Sequence, residues 1–142
     1  MKTSIGKTVY IYGTVFLFLA GTGFVMSNHH FSHDWEIPEH YKQMENPVEM
    51  DEESIRMGQS MYRRECRSCH GAEGAGDGTE AQDLETPLRD FGSEEVQKHS
   101  DGELFYKIKE GRDEMPSFEG DMHEVDIWHI VNYIRTLEEE EN

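Results

Sequence analysis

Acidic residues are absent from the first 33 positions, and basic residues are scarce after them. All 30 Asp and Glu lie at or beyond Asp34, where they face every Lys and Arg except Lys2 and Lys7, and the whole chain carries a formal charge of -17. That balance excludes a surface built to grip nucleic acid phosphates. Cysteine is nearly absent too, because Cys66 and Cys69 are the whole supply. A lipoprotein anchor needs a cysteine just after an apolar core, so that route is closed. No run alternates apolar and polar residues for long enough to make a useful strand. With 142 residues there is no room for a second full-sized domain.

What is present divides into two physical objects. Lys2 and Lys7 precede Val9 to Met26, an uncharged run that is mostly aromatic and aliphatic. As a helix rising about 1.5 Å per residue it reaches roughly 27 Å, close to the hydrocarbon thickness of a bilayer. Residues 1–26 are therefore expected to form an N-terminal transmembrane helix. Basic residues before the run and acids after it place the N-terminus in the cytoplasm, the span in the inner membrane and the remainder on the periplasmic side. A cleavable signal peptide has nearly the same outline, but no A-x-A follows the core and Phe24, Val25 and Met26 continue the apolar run.

Residues 27–50 turn polar, with His29, His30, His33 and His40, and with Pro38 and Pro47 breaking any long helix. They read as a linker. The histidines have no regular spacing, and no ligand is assigned there.

The domain is expected over residues 51–142, ending in an acidic tail. Asp51 can cap a helix through Ile55, Met57, Gly58, Met61 and Tyr62 towards Cys66, with Met57 and Met61 on its buried face. Ser100-x-x-Glu103 is a capping box opening a helix with Leu104, Phe105 and Ile108 on one face, stopped by Gly111. Asp126 can cap a last helix in which Ile127, Ile130, Val131, Ile134 and Leu137 recur at intervals of three and four. Glycine-rich and proline-bearing loops join them. Apolar residues are 35% of the chain, and many sit in the N-terminal run, so the exported part lacks material for a core of its own.

Cys66-Arg67-Ser68-Cys69-His70 supplies what is missing. C-x-x-C-H is the attachment pattern of c-type haem: two thiols a turn apart each add to a vinyl group, and the adjacent imidazole becomes an axial ligand of the iron. Structural zinc needs four ligands and only three are clustered here. A thioredoxin-like pair needs a βαβ setting, and a disulfide across two residues of a helix has poor geometry. One covalent haem c on Cys66, Cys69 and His70 is the expected cofactor.

A second axial position remains. Glu114-Met115-Pro116-Ser117-Phe118 offers a thioether in a loop after a helix stop, a soft ligand suited to haem iron. Met115 is the expected ligand; Met122, His123, His129 and His99 are its competitors.

From about Asp51 to Leu137 the chain resembles a class I c-type cytochrome of the small bacterial monohaem kind grouped with cbb3-type haem c domains. The likeness rests on Gly58-x-x-x-Tyr62, the haem motif with Gly71, Gly74-Ala75-Gly76-Asp77-Gly78, Ser100-Asp101-Gly102-Glu103-Leu104, Met115-Pro116-Ser117-Phe118 and Trp128-His129-Ile130-Val131-Asn132-Tyr133-Ile134-Arg135. It implies an all-α fold wrapped around the haem, whose first and last helices cross where Gly58 meets Tyr133. It also implies a carbonyl from a proline-bearing loop accepting the proximal imidazole N–H, with Pro87 in the matching stretch. Arg112 then stands either towards a haem propionate or as a helix C-terminal cap, and Trp128 either lines the pocket or packs.

Ligation on both sides of the iron leaves one-electron transfer as the available chemistry. Membrane-bound relatives pass electrons from quinol-oxidising complexes to terminal oxidases, and some are subunits of such complexes, alternative complex III among them. The expectation is thus a membrane-tethered electron carrier with redox proteins as partners, and not an enzyme in itself. A haem sensor or peroxidase, with an exchangeable sixth ligand, is the alternative.

Overall fold

The computed structural model describes residues 35–138, so the apolar run Val9 to Met26 and the span expected from it lie outside the described residues. Among the described residues no helix is long and apolar enough to cross a membrane. Six helices follow one another: α1 (Glu39–Lys42), α2 (Glu52–Glu65), α3 (Arg67–His70), α4 (Glu94–Gln97), α5 (Asp101–Glu110) and α6 (Glu124–Arg135), with a 3-10 turn at Ala81–Asp83 between α3 and α4. In place of strands, the described residues contain isolated bridges, Arg112 with Met115 and Glu119 with Met122.

Local chemistry sets the helix ends. The Asp51 carboxylate accepts from the Ser54 N–H at 2.7 Å, and Glu52 and Glu53 follow in the first turn, where the helix dipole favours them. Ser100 and Glu103 close the expected capping box on α5, and Gly111, at φ 63°, ends it. The start of α6 differs from expectation. It begins at Glu124, two residues before Asp126, and His123 stands at its N-cap without a side-chain bond. Asp126 instead lies in the first turn, where its charge still favours the dipole.

α2 and α6 cross at Gly58, and the crossing needs that glycine. A Cβ there would lie 1.9 Å from the His129 carbonyl oxygen and 3.0 Å from Tyr133 Cβ. Beside the crossing, the rings of Tyr62 and Tyr133 meet at 5.1 Å. The core gathers Leu104, Phe105 and Ile108 of α5 with Ile127, Trp128, Ile130, Val131 and Ile134 of α6. Trp128 is 4% exposed and stacks on Phe105 at 4.2 Å, so it packs within this core. Met61 is half-buried against the same core, whereas Met57 is 38% exposed and does not belong to it.

Residues 35–50, expected to be part of a linker, are packed onto the domain as a strap. Ile37 is 8% exposed, and Tyr41, Met44 and Val48 lean on the core. The Tyr41 carbonyl sits so close to Gly102 that a Cβ there would be 1.9 Å from it. A polar network completes the attachment. Asn132 donates to Ser54 Oγ at 2.7 Å and receives from Asn46 Nδ2 at 2.8 Å, and Ser54 Oγ also lies 2.8 Å from His129 Nδ1. The polarity that suggested a solvated tether is used for buried hydrogen bonds instead.

Candidate functional site

Cys66 ends α2, and α3 carries the rest of the pentapeptide, so one short helical turn aligns both thiols and the imidazole. Neither cysteine is in a disulfide, and both are half-buried. Burial, with Glu65 and Cys69 adding to it, pushes the Cys66 thiol up to about 12. Cys69 is raised by burial as well, with Glu80 and Glu114 adding negative charge nearby and Ser68 opposing.

His70 is the most telling residue of the group. Burial lowers its imidazole to about 4, so it is neutral and keeps a lone pair to donate. Its ring stacks on Phe91 at 4.5 Å between centroids. Among the described residues, its Nδ1 is the buried side-chain polar atom without a hydrogen-bond partner. A buried nitrogen of that kind carries a desolvation cost unless a further group completes it.

The glycines after the motif fold the chain back against it. Gly76 N–H donates to the His70 carbonyl at 2.9 Å, and Gly78 N–H donates to that of Cys69 at 3.1 Å. At Gly78 a Cβ would lie 2.2 Å from the Ser68 oxygen, so this approach requires a residue without one. Gly71, at φ 86°, turns the chain out of α3, and its carbonyl accepts from the buried Tyr62 hydroxyl at 2.8 Å.

Met115 lies in the loop after α5, half-buried against the core. Arg112 and Met115 exchange backbone hydrogen bonds of 2.9 Å in both directions, which makes a tight turn with Asp113 at φ 54°. The neighbouring Glu114 carboxylate accepts from the N–H groups of Glu85 at 3.1 Å and Thr86 at 3.3 Å. Since Glu114 also acts on the Cys69 thiol, it joins the methionine loop, the 85–86 segment and the haem motif. Glu114 adjoins Met115 in the sequence, but nothing in its type announced this role; neither did anything announce Phe91 as the ring under His70.

Of the expected supporting residues, Pro87 is exposed, in a loop whose residues 85 and 86 are held by the Glu114 carboxylate. Arg112 lays its guanidinium 4.4 Å from the Trp35 ring centroid and lies 3.4 Å from the Asp113 carboxylate. Among the competing ligands, His129 is engaged with Ser54 and His99 Nε2 lies 2.7 Å from Lys107 Nζ. Met122 leans on the core as Met115 does.

The set of two thiols, a buried neutral imidazole with an orphaned nitrogen and a thioether on an adjoining loop suits a covalent haem. The comparisons agree. The family model described as cytochrome c oxidase, cbb3-type, subunit III matches residues 53–134. Similar solved structures include the reducing HAO-like protein complex Kustc0457/Kustc0458 of Kuenenia stuttgartiensis, with TM-score 0.59 and 27% identity over 66% of this chain and 47% of that one. The KustC0563 c-type cytochrome has TM-score 0.51 and 27% identity, covering 58% of this chain and 98% of that one. Cytochrome CL from the marine methylotrophic bacterium Methylophaga aminisulfidivorans has TM-score 0.53 and 25% identity over 74% of this chain and 70% of that one. The chain thus spans about half the length of the Kuenenia protein. No curated protein matches it.

Proposed function

The chain belongs to the cbb3-type cytochrome c oxidase subunit III family, and from that premise we propose that it is a membrane-tethered carrier of single electrons in a respiratory chain. Membership makes it an all-α c-type cytochrome, an electron-transfer protein with covalently bound haem c. In the proposed assignment Cys66 and Cys69 would hold the haem covalently, and His70 and Met115 would ligate its iron. Haem c so held exchanges one electron and, with Met/His ligation, does so at a raised potential.

The observation that carries the reading is His70, buried, neutral and short of one partner next to two thiols. Phe91 fixes the ring plane by stacking, and the glycine loop covers the carbonyls of the motif. Glu114 draws the Met115 loop towards the same place. With Met115 on the iron no position is left for a substrate, which supports a carrier over a sensor or peroxidase. The uncharged run after Lys2 and Lys7 supports tethering to the inner membrane with the haem domain on the periplasmic side. A tethered carrier exchanges electrons with neighbours in the same membrane, here between a quinol-oxidising complex and a terminal oxidase, free or as a subunit of such a complex, alternative complex III among them.

The test is the ferric spectrum. Wild type should show the weak long-wavelength sulfur-to-iron band and bind CO slowly. Met115→Ala should lose the band, lower the potential and open the iron to CO, whereas Met122→Ala should keep all three properties. A wild type that binds CO at once would give the place to the sensor or enzyme.

A further inference from the structure

The strap over residues 35–50 has a use beyond anchoring itself. At one end Asn46 is bonded to Asn132 of α6, and in the middle Tyr41 packs on Phe105 and Tyr106, with ring centroids at 6.2 Å and 4.7 Å. At the other end Trp35 stands in a clamp. Its ring meets the edge of Tyr106 at 6.3 Å and an interplanar angle of 80°, and the Arg112 guanidinium lies over it at 4.4 Å. Arg112 is one side of the turn whose other side is Met115.

On its Met115 side that turn is tied by Glu114 to the N–H groups of residues 85 and 86 and by Ser117 to the Lys109 carbonyl. On its Arg112 side it meets the strap, and Asp113 between them holds a left-handed backbone that costs an L-residue energy. A thioether on iron is a weak ligand, so its position has to be set by the surrounding protein rather than by the bond. We propose that Trp35 is a positioning residue for Met115: by stacking on Arg112 it fixes the turn that carries the ligand, so the strap is a working part of the haem site. The ligand role of Met115 is the reading above, and the brace is a claim about the loop itself.

Hydrogen exchange and the ferric spectrum of the full holoprotein test the two separately. Trp35→Ala should speed exchange of the paired Arg112 and Met115 amides by about tenfold, the scale of one partly desolvated cation–π contact, and leave the α2 amides unchanged. The sulfur-to-iron band should then be lost at a lower pH than in wild type, and Trp35→Phe, which keeps a ring under the guanidinium, should restore both properties. If Trp35→Ala gives no folded holoprotein, Arg112→Gln removes the cation while leaving the indole and should show the same local acceleration. Unchanged exchange at Arg112 and Met115, or equal acceleration in α2, would overturn the brace. A wild type without the band would overturn the ligand assignment instead, while the exchange rates would still decide the brace.

Discussion

Gly58 shows what one hydrogen atom decides. A methyl group in its place would meet the His129 carbonyl at 1.9 Å, and neither helix can yield without opening the α2–α6 crossing. Gly58→Ala should therefore lower stability by at least about 3 kcal/mol, at the upper end for overpacking. Gly120 is the control, because nothing lies within 4 Å of its added Cβ and its φ is +84°. Gly120→Ala should cost only the left-handed backbone, about 1–2 kcal/mol. Thermal unfolding of both holoprotein variants checks the order; equal losses would mean that the crossing relaxes. Residues of this kind were legible from the G-x-x-x-Y pattern, as was the haem pentapeptide. Met57 was not, since helical spacing locates a stripe but not its edge, and the position lies just past the face that α6 covers. Around Pro87 the hidden feature was a different one: Glu114 holds that loop through residues 85 and 86, and no residue type announces such a bond.

The helices were legible because their ends are local chemistry: Asp51, the Ser100 capping box and Gly111 act within a turn of themselves. The strap was not legible, because what holds it is distant in sequence. Asn132 joins α6 to the Val48 and Glu49 carbonyls at 3.3 Å, to Asn46 and to Ser54, and it is only 3% exposed. Asn132→Leu should leave Asn46 and Ser54 short of partners and cost about 2–3 kcal/mol. Denaturant unfolding reads that loss, and a neutral outcome would show that water replaces the amide. A second element-scale device lies at the start of α5. Burial, then the Lys107 ammonium, hold the His99 imidazole below its ordinary value, while Glu103 and Glu95 act the other way. The unfolded chain thus takes up this proton more readily, so stability present above about pH 6.5 is lost as pH falls through that value towards the lower folded pKa. His99→Gln should flatten the fall measured by denaturation between about pH 7 and pH 5. An unchanged slope would place the loss elsewhere.

Over the whole molecule the sign of charge is settled and its use is open to experiment. Against -17 overall, Arg56, Arg63, Arg64 and Arg67 form a basic strip beside the haem motif. Of these four, Arg64 forms an ion pair among the described residues, with Glu65 at 3.6 Å, and Arg56 donates to the Glu52 carbonyl at 3.2 Å. The opposite side of the motif is acidic, with Glu80 Oε2 3.5 Å from Cys69 Sγ and Glu114 beyond it. Two fields thus meet around the haem motif. The acids are more numerous over the chain, 30 against 13 basic residues, and charges within a Debye length, about 10 Å at 0.1 M salt, act together. A small cationic oxidant such as a cobalt(III) ammine complex should therefore react with the reduced protein faster at low salt and slow as salt is added, and an anionic one such as ferricyanide should do the reverse. Glu80→Gln should shrink the cationic slope without changing the potential much, since that carboxylate is exposed and holds no part of the Met115 loop. If instead the anionic reagent is favoured at low salt, the arginine strip governs approach, and the natural partner presents acids to it rather than bases.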